Sequence, residues 1–184
     1  MIQKLRLPVL FLILLMAGCR TAGPGTPATT VASFFSKYQG RSGFKTMDWS
    51  ADLLERLALV RAAKLLGGSE LTNAITGIRK ARVISFAPVT GSAENLAQQG
   101  LVQEATGILQ GNRYEPISAG TALGNDYKVS VRANGDRVSE FAAIGQLPDV
   151  TDSFVLVDVE GNFTRAQVQA LTKYLPQIVQ ATAQ

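Results

Sequence analysis

Phe154 to Val159 (FVLVDV) constrains the fold of this chain more than any other stretch. It is apolar on both faces at first, which places it as a central strand rather than an edge. A central strand needs neighbours, and the chain offers several. Ala81 to Ala87 (ARVISFA) has no charge after Arg82 and also reads as central, with Pro88 ending it. Tyr127 to Arg132 alternates, with Tyr127, Val129 and Val131 on one face and Lys128, Ser130 and Arg132 on the other. Arg113 to Ser118 is a short strand, followed by a loop from Ala119 to Asn125.

Asn134-Gly135 marks a hairpin after the alternating strand. A two-residue loop would set Val129 opposite Glu140. A three-residue loop, Ala133-Asn134-Gly135, sets Arg132 opposite Asp136, Lys128 opposite Glu140 and Tyr127 opposite Phe141. Opposite charges then meet in the charged rows near the turn, each pair contributing roughly 0.2–1 kcal/mol, so the three-residue register is expected.

Helices are expected between these strands. Ser50 reads as an N-cap for a helix to about Leu66, stopped by Gly67-Gly68. Leu53, Leu54, Leu57, Ala58, Val60 and Leu65 share its apolar face, and Arg61 falls inside that arc as a snorkelling cation. Ser69-Glu70 opens a short helix near 70–77, and Arg79, Lys80 and Arg82 read as its solvated C-terminus. Ser92 caps a helix running to about Gln110. Gly100 and Gly107 lie on one face of it, and at about 1 kcal/mol each they imply close packing. Gly161-Asn162 is expected to turn the chain. Thr164 then caps the last helix, with Gln167 completing a capping box and Phe163 stapled to Val168. Pro176 should kink or end that helix near Leu175. Together these elements form an α+β domain, a mostly antiparallel sheet with helices packed on one face.

The domain is preceded by a different kind of sequence. Lys4 and Arg6 open the chain, Leu7 to Leu15 is an apolar run of nine residues, and Met16-Ala17-Gly18 is a small-residue cleavage region. That is a secretory signal, too short for a span of about 20 residues. Cys19 is the sole cysteine, so no disulfide can form within the chain. After it, residues 20–30 (RTAGPGTPATT) have no apolar periodicity and read as a flexible tether of about 20 Å typical reach. The expected organisation is a signal peptide over 1–18, an acylated cysteine and tether over 19–30, and one domain over 31–184. Removing residues 1–18 takes Lys4 and Arg6 with it, so the formal charge falls from +4 to +2. Nucleic-acid binding loses its electrostatic basis.

The chain has no histidine, which removes the usual general base, the Ser-His and Cys-His pairs and most zinc and copper sites. Asp158-Val159-Glu160-Gly161-Asn162 opens like a calcium loop, but its sixth residue is Phe163 and its twelfth Gln169, so the pattern fails. Asp158 and Glu160 as an acid/base pair would sit on one strand face near its solvent end, with nothing to separate their pKa values. Ser33, Ser36 and Lys37 lie close together on an amphipathic segment as ordinary polarity. No catalytic set, metal site or cofactor is expected.

Two resemblances add to this reading. Cys19 directly after Ala17-Gly18 resembles the lipobox of bacterial lipoproteins, in which the signal is cut between Gly18 and Cys19 and the cysteine carries acyl chains. Four stretches further resemble the short lipoproteins grouped as domain-of-unknown-function family 4252. They are Phe34 to Tyr38, Ile78 to Phe86, Tyr127 to Val131 with its hairpin, and Phe154 to Phe163 leading into the final helix. The resemblance implies an α/β fold and a lipoprotein, and transfers no catalytic residue. The expected function is a non-enzymatic interaction or signalling module, anchored through Cys19 to the outer membrane and facing the periplasm. The alternatives are a carrier of small apolar ligands, which requires an apolar pocket between sheet and helices, and a histidine-free hydrolase.

Overall fold

The computed structural model describes residues 26–50, 68–88, 94–117, 127–176 and 179. Their elements, in chain order, are α1 (Val31–Tyr38), β1 (Phe44–Ser50), α2 (Gly68–Gly77), β2 (Ile78–Phe86), α3 (Glu94–Gly111), β3 (Glu115–Ile117), β4 (Lys128–Asn134), β5 (Arg137–Gly145), β6 (Phe154–Thr164) and α4 (Arg165–Thr172). The strands form one antiparallel sheet in the order β1-β2-β6-β5-β4-β3. β6 is therefore central, as its composition requires, and β2 lies beside it. The edges are β1 and the three-residue β3, where Pro116 costs no ladder bond on the open side.

The α+β class and the antiparallel sheet hold, but the expectation of helices on one face does not. β6 alternates between two cores. Val155, Val157, Val159 and Phe163 join Leu71 and Ala74 of α2 and Val168 and Leu171 of α4. Phe154 and Leu156 join Val31, Phe34 and Phe35 of α1 and Leu101, Ala105 and Ile108 of α3. The domain has three layers, helix, sheet and helix. A strand apolar on both faces needs a cover on both, at about 1.5–3 kcal/mol per buried large side chain.

Two irregularities decide which side chains enter which layer. β2 shifts register at Arg79, so Ile78 and Val83 reach the α2/α4 core although they are five residues apart. β5 carries an extra residue at Ser139, so Val138 and Phe141 both enter that core while Glu140 faces the other layer. These are bulges, which redirect side chains at a local cost in ladder bonds.

The hairpin adopts neither register weighed from the sequence. Gly135-Asp136 forms the loop, with Gly135 at φ +62°, and Asn134 pairs with Arg137. Beyond the bulge Arg132 pairs with Glu140, Val131 with Phe141 and Val129 with Ala143. Apolar rows at the core outweigh the charge pairs counted near the turn: Lys128 stands opposite Ile144, and Arg132 meets Glu140 at 2.9 Å in place of Asp136.

Other expectations divide. α2 and α3 lie close to where they were placed, and the Thr164–Gln167 capping box is present, with Phe163 and Val168 buried together behind it. α4 ends at Thr172, ahead of Pro176. Gly161-Asn162 does not turn the chain, because β6 continues to Thr164. Ser50 ends β1 instead of capping a helix, while the helix expected over 51–66, with Arg61, lies outside the described residues. Gly100 and Gly107 have no neighbour within 4 Å of an added Cβ, so they do not mark close packing. Close approach occurs instead at Gly161, where a Cβ would meet the Gly77 carbonyl and the Phe163 ring. Gly161→Ala is therefore expected to lower unfolding stability by about 1–3 kcal/mol in urea, as overpacking does. An unchanged midpoint would show that α2 and β6 do not meet so closely.

Candidate functional site

The charged residues of the sheet gather at one end of the face that carries α1 and α3. Successive rows across the strands read Asp48, Arg82, Asp158, Ala142 and Ser130, then Ser50, Lys80, Glu160, Glu140 and Arg132. The register thus turns scattered charges into an alternating patch. Apolar side chains fill the same face further along, so this patch is where the layer changes from carbon to charge.

Asp158 is its centre. The side chain has no exposed surface, and Arg82 donates from both Nε (3.1 Å) and Nη2 to a single oxygen, Oδ2. Oδ1 is buried with no hydrogen-bond partner among the described residues. The Arg82 guanidinium also lies 3.5 Å from Glu160 and 5.0 Å from the Phe35 ring centroid on α1. Beside it, Glu140 accepts from the Tyr114 hydroxyl on Oε1 and from Arg132 on Oε2, and the Arg132 guanidinium stacks 4.7 Å over the Tyr114 ring.

Burial first and the nearby Glu140 charge second push the Asp158 carboxyl up to about 7, against the opposing pull of Arg82. Protonation removes the buried negative charge and gives the carboxyl a proton to share with the adjacent Glu140 carboxylate. Burial also pushes the Tyr114 phenol up, reinforced by its bond to Glu140, so it stays a neutral donor. The expectation that nothing perturbs the Asp158 carboxyl fails, because the strand does not end there and the residue is not near solvent.

A second charged node fastens the other end of this layer. Glu104 on α3 accepts from the Ala28 backbone N–H (2.7 Å), Lys37 Nζ (2.7 Å) and the Tyr38 hydroxyl (2.5 Å). Burial opposes ionisation of Glu104, but these three donors outweigh it and hold its pKa below the ordinary carboxylate value. Lys37 is thus an ion-pair partner. Ser33 serves the Thr30 capping box and Ser36 donates to the Ala32 carbonyl, so the three do not converge on a nucleophilic site. Asn112 further donates to the Thr29 carbonyl at 2.8 Å.

Between the C-terminal half of α3 and the β3–β4 edge lies a cavity of about 360 Å³. Leu109, Tyr114, Ile117 and Ile144 supply its apolar walls, and Thr106, Gln110, Lys128 and Ser130 its polar rim.

Of the residues singled out from sequence, Gly18, Cys19 and Arg61 lie outside the described residues. Arg79, Lys80 and Arg82 are not a solvated helix end: all three are on β2. Arg79 donates to the Gly161 carbonyl at 3.0 Å, Lys80 stands opposite Glu160, and Arg82 is buried on Asp158. Glu140, Tyr114 and Glu104 were not anticipated. A lone aspartate inside FVLVDV was the available signal for a buried cation partner, since such a charge is rarely buried unpaired.

The site therefore defines a three-layer α+β domain whose polar residues brace the sheet. A family model described as a domain of unknown function, DUF4252, matches residues 38–171. The chain belongs to that family. No curated protein and no solved structure matches it.

The raised Asp158 pKa has a definite sign in stability. The folded value lies above the unfolded one, near 4, so its contribution is complete below about pH 4 and is lost as pH rises through about 7, by a few kcal/mol. Asp158→Asn should remove that fall, so urea midpoints of the two proteins should diverge between pH 4 and 7. Parallel profiles would refute the assignment.

Proposed function

We propose that this protein is a lipid-anchored envelope protein, held through acyl chains on Cys19 to the periplasmic face of the outer membrane. Its domain acts as a non-enzymatic interaction or signalling module. The observation that carries the reading is the cysteine after Met16-Ala17-Gly18, at the end of a basic and then apolar N-terminal stretch. One acyl chain gives marginal, reversible binding, whereas two or more hold firmly. The non-enzymatic part rests on the disposition of the charges. Arg82, Asp158, Glu140 and Arg132 are occupied with one another inside the sheet, and Glu104 with the N-terminal segment. No helix among the described residues is long and apolar enough to cross a membrane.

The contact at Glu104 shortens the expected leash. With Ala28 fastened to α3, the tether proposed from sequence is cut back to end at residue 27, and at 5–6 Å per root residue eight residues give a typical reach of about 16 Å. The domain would then work close to the headgroups, with α3 on the side from which the anchor leaves.

Cells labelled with an alkyne-bearing palmitate should incorporate it into the wild-type chain. Cys19→Ala should lose the label and leave the membrane fraction. Retention of both label and membrane association in that variant would place the anchor elsewhere.

A further inference from the structure

The cavity beside α3 differs from the charged network in what its side chains are free to do. Tyr114 forms part of its wall, yet its hydroxyl is committed to Glu140 and its ring is fixed beneath Arg132, so it offers the cavity a rigid carbon surface. Tyr127 behaves alike, since its hydroxyl donates to the Gln146 carbonyl at 3.1 Å. Among the described residues no carboxylate lines the cavity, and Lys128 is the one charged side chain in its wall. Among the described residues, Lys128 has no carboxylate within ion-pair distance, unlike Arg82, Arg132 and Lys37.

Apolar walls, one unneutralised cation at the rim and neutral hydrogen-bonding groups on Thr106, Gln110 and Ser130 are complementary to one class of ligand. A volume of about 360 Å³ falls within the range of small-molecule sites. We propose that this cavity binds a medium-chain fatty acid, its alkyl chain between α3 and the sheet and its carboxylate paired with Lys128. A neutral apolar ligand would leave the rim unused, and a cationic one would meet Lys128 unfavourably. The site does not depend on the lipid anchor, because all its residues belong to the folded domain.

The test uses the full chain purified in CHAPS, which carries no linear alkyl chain, and photolysed with a diazirine-bearing decanoate, with labelled peptides mapped by mass spectrometry. Label is expected on residues 106–110 and 128–130, and decanoate should compete about tenfold better than decanol, the equivalent of about 1.4 kcal/mol. Thr106→Trp, which fills the cavity from a half-buried helix position, should abolish the label with unchanged far-UV circular dichroism. Lys128→Glu, at an exposed position, should remove the preference for decanoate over decanol, and it decides the matter if the tryptophan variant fails to fold. Label scattered over the surface, or equal competition by decanol against the wild type, would overturn the proposal. Cys19→Ala should alter none of these readouts, so failure of the anchor and failure of the cavity are distinguishable.

Discussion

The ion pair between Arg82 and Asp158 is the contact on which the two-sided sheet depends. Asp158 sits on the strand that supplies side chains to both cores, at a point where its carboxylate has no exposed surface. An isolated charge there would be prohibitively costly, and the remedies are a partner or a proton. This domain uses both, since Arg82 satisfies one carboxylate oxygen while the raised pKa provides for the other. The pair also joins β2 to β6, tying the outer two strands, β1 and β2, to the middle of the sheet.

The remainder of the architecture is consistent with protecting that contact. The bulge at Ser139 turns Glu140 toward the Asp158 layer, where Tyr114 and Arg132 occupy its oxygens. Phe35 of α1 lies against the Arg82 guanidinium and closes it from above. α1 is in turn secured to α3 through Lys37, Tyr38 and Glu104. Two polar nodes are thus bridged by α1, whose Lys37 and Tyr38 meet Glu104 and whose Phe35 meets Arg82.

Local rules made much of this legible. Thr164 and Gln167 announced the cap of α4, and the two-sided apolar stretch at Phe154 announced the central strand. β1 was missed because Phe44 to Ser50 mixes Lys45, Asp48 and Ser50 with aromatic residues, as an edge strand tolerates. The hairpin register failed because charge pairs near the turn were weighed without the core beyond them, which favours Val131 opposite Phe141. The helix layers failed for a related reason: the apolar character of both β6 faces was recognised, yet only one was given a cover. The site was least legible. Arg82 and Asp158 are 76 residues apart, and nothing local links them or draws Glu140 and Tyr114 beside them. Oppositely charged residues inside two strands both read as central were the one available hint.

A double-mutant cycle tests this central claim most directly. Arg82→Met and Asp158→Leu are each expected to cost about 3–5 kcal/mol, because each leaves its partner buried without its principal counter-charge. The double variant, which replaces the pair by apolar side chains, should lie within about 1–2 kcal/mol of the wild type in urea unfolding. Additive losses, with the double variant destabilised by the sum of the two, would mean that the residues act independently and that the sheet does not rely on their pairing.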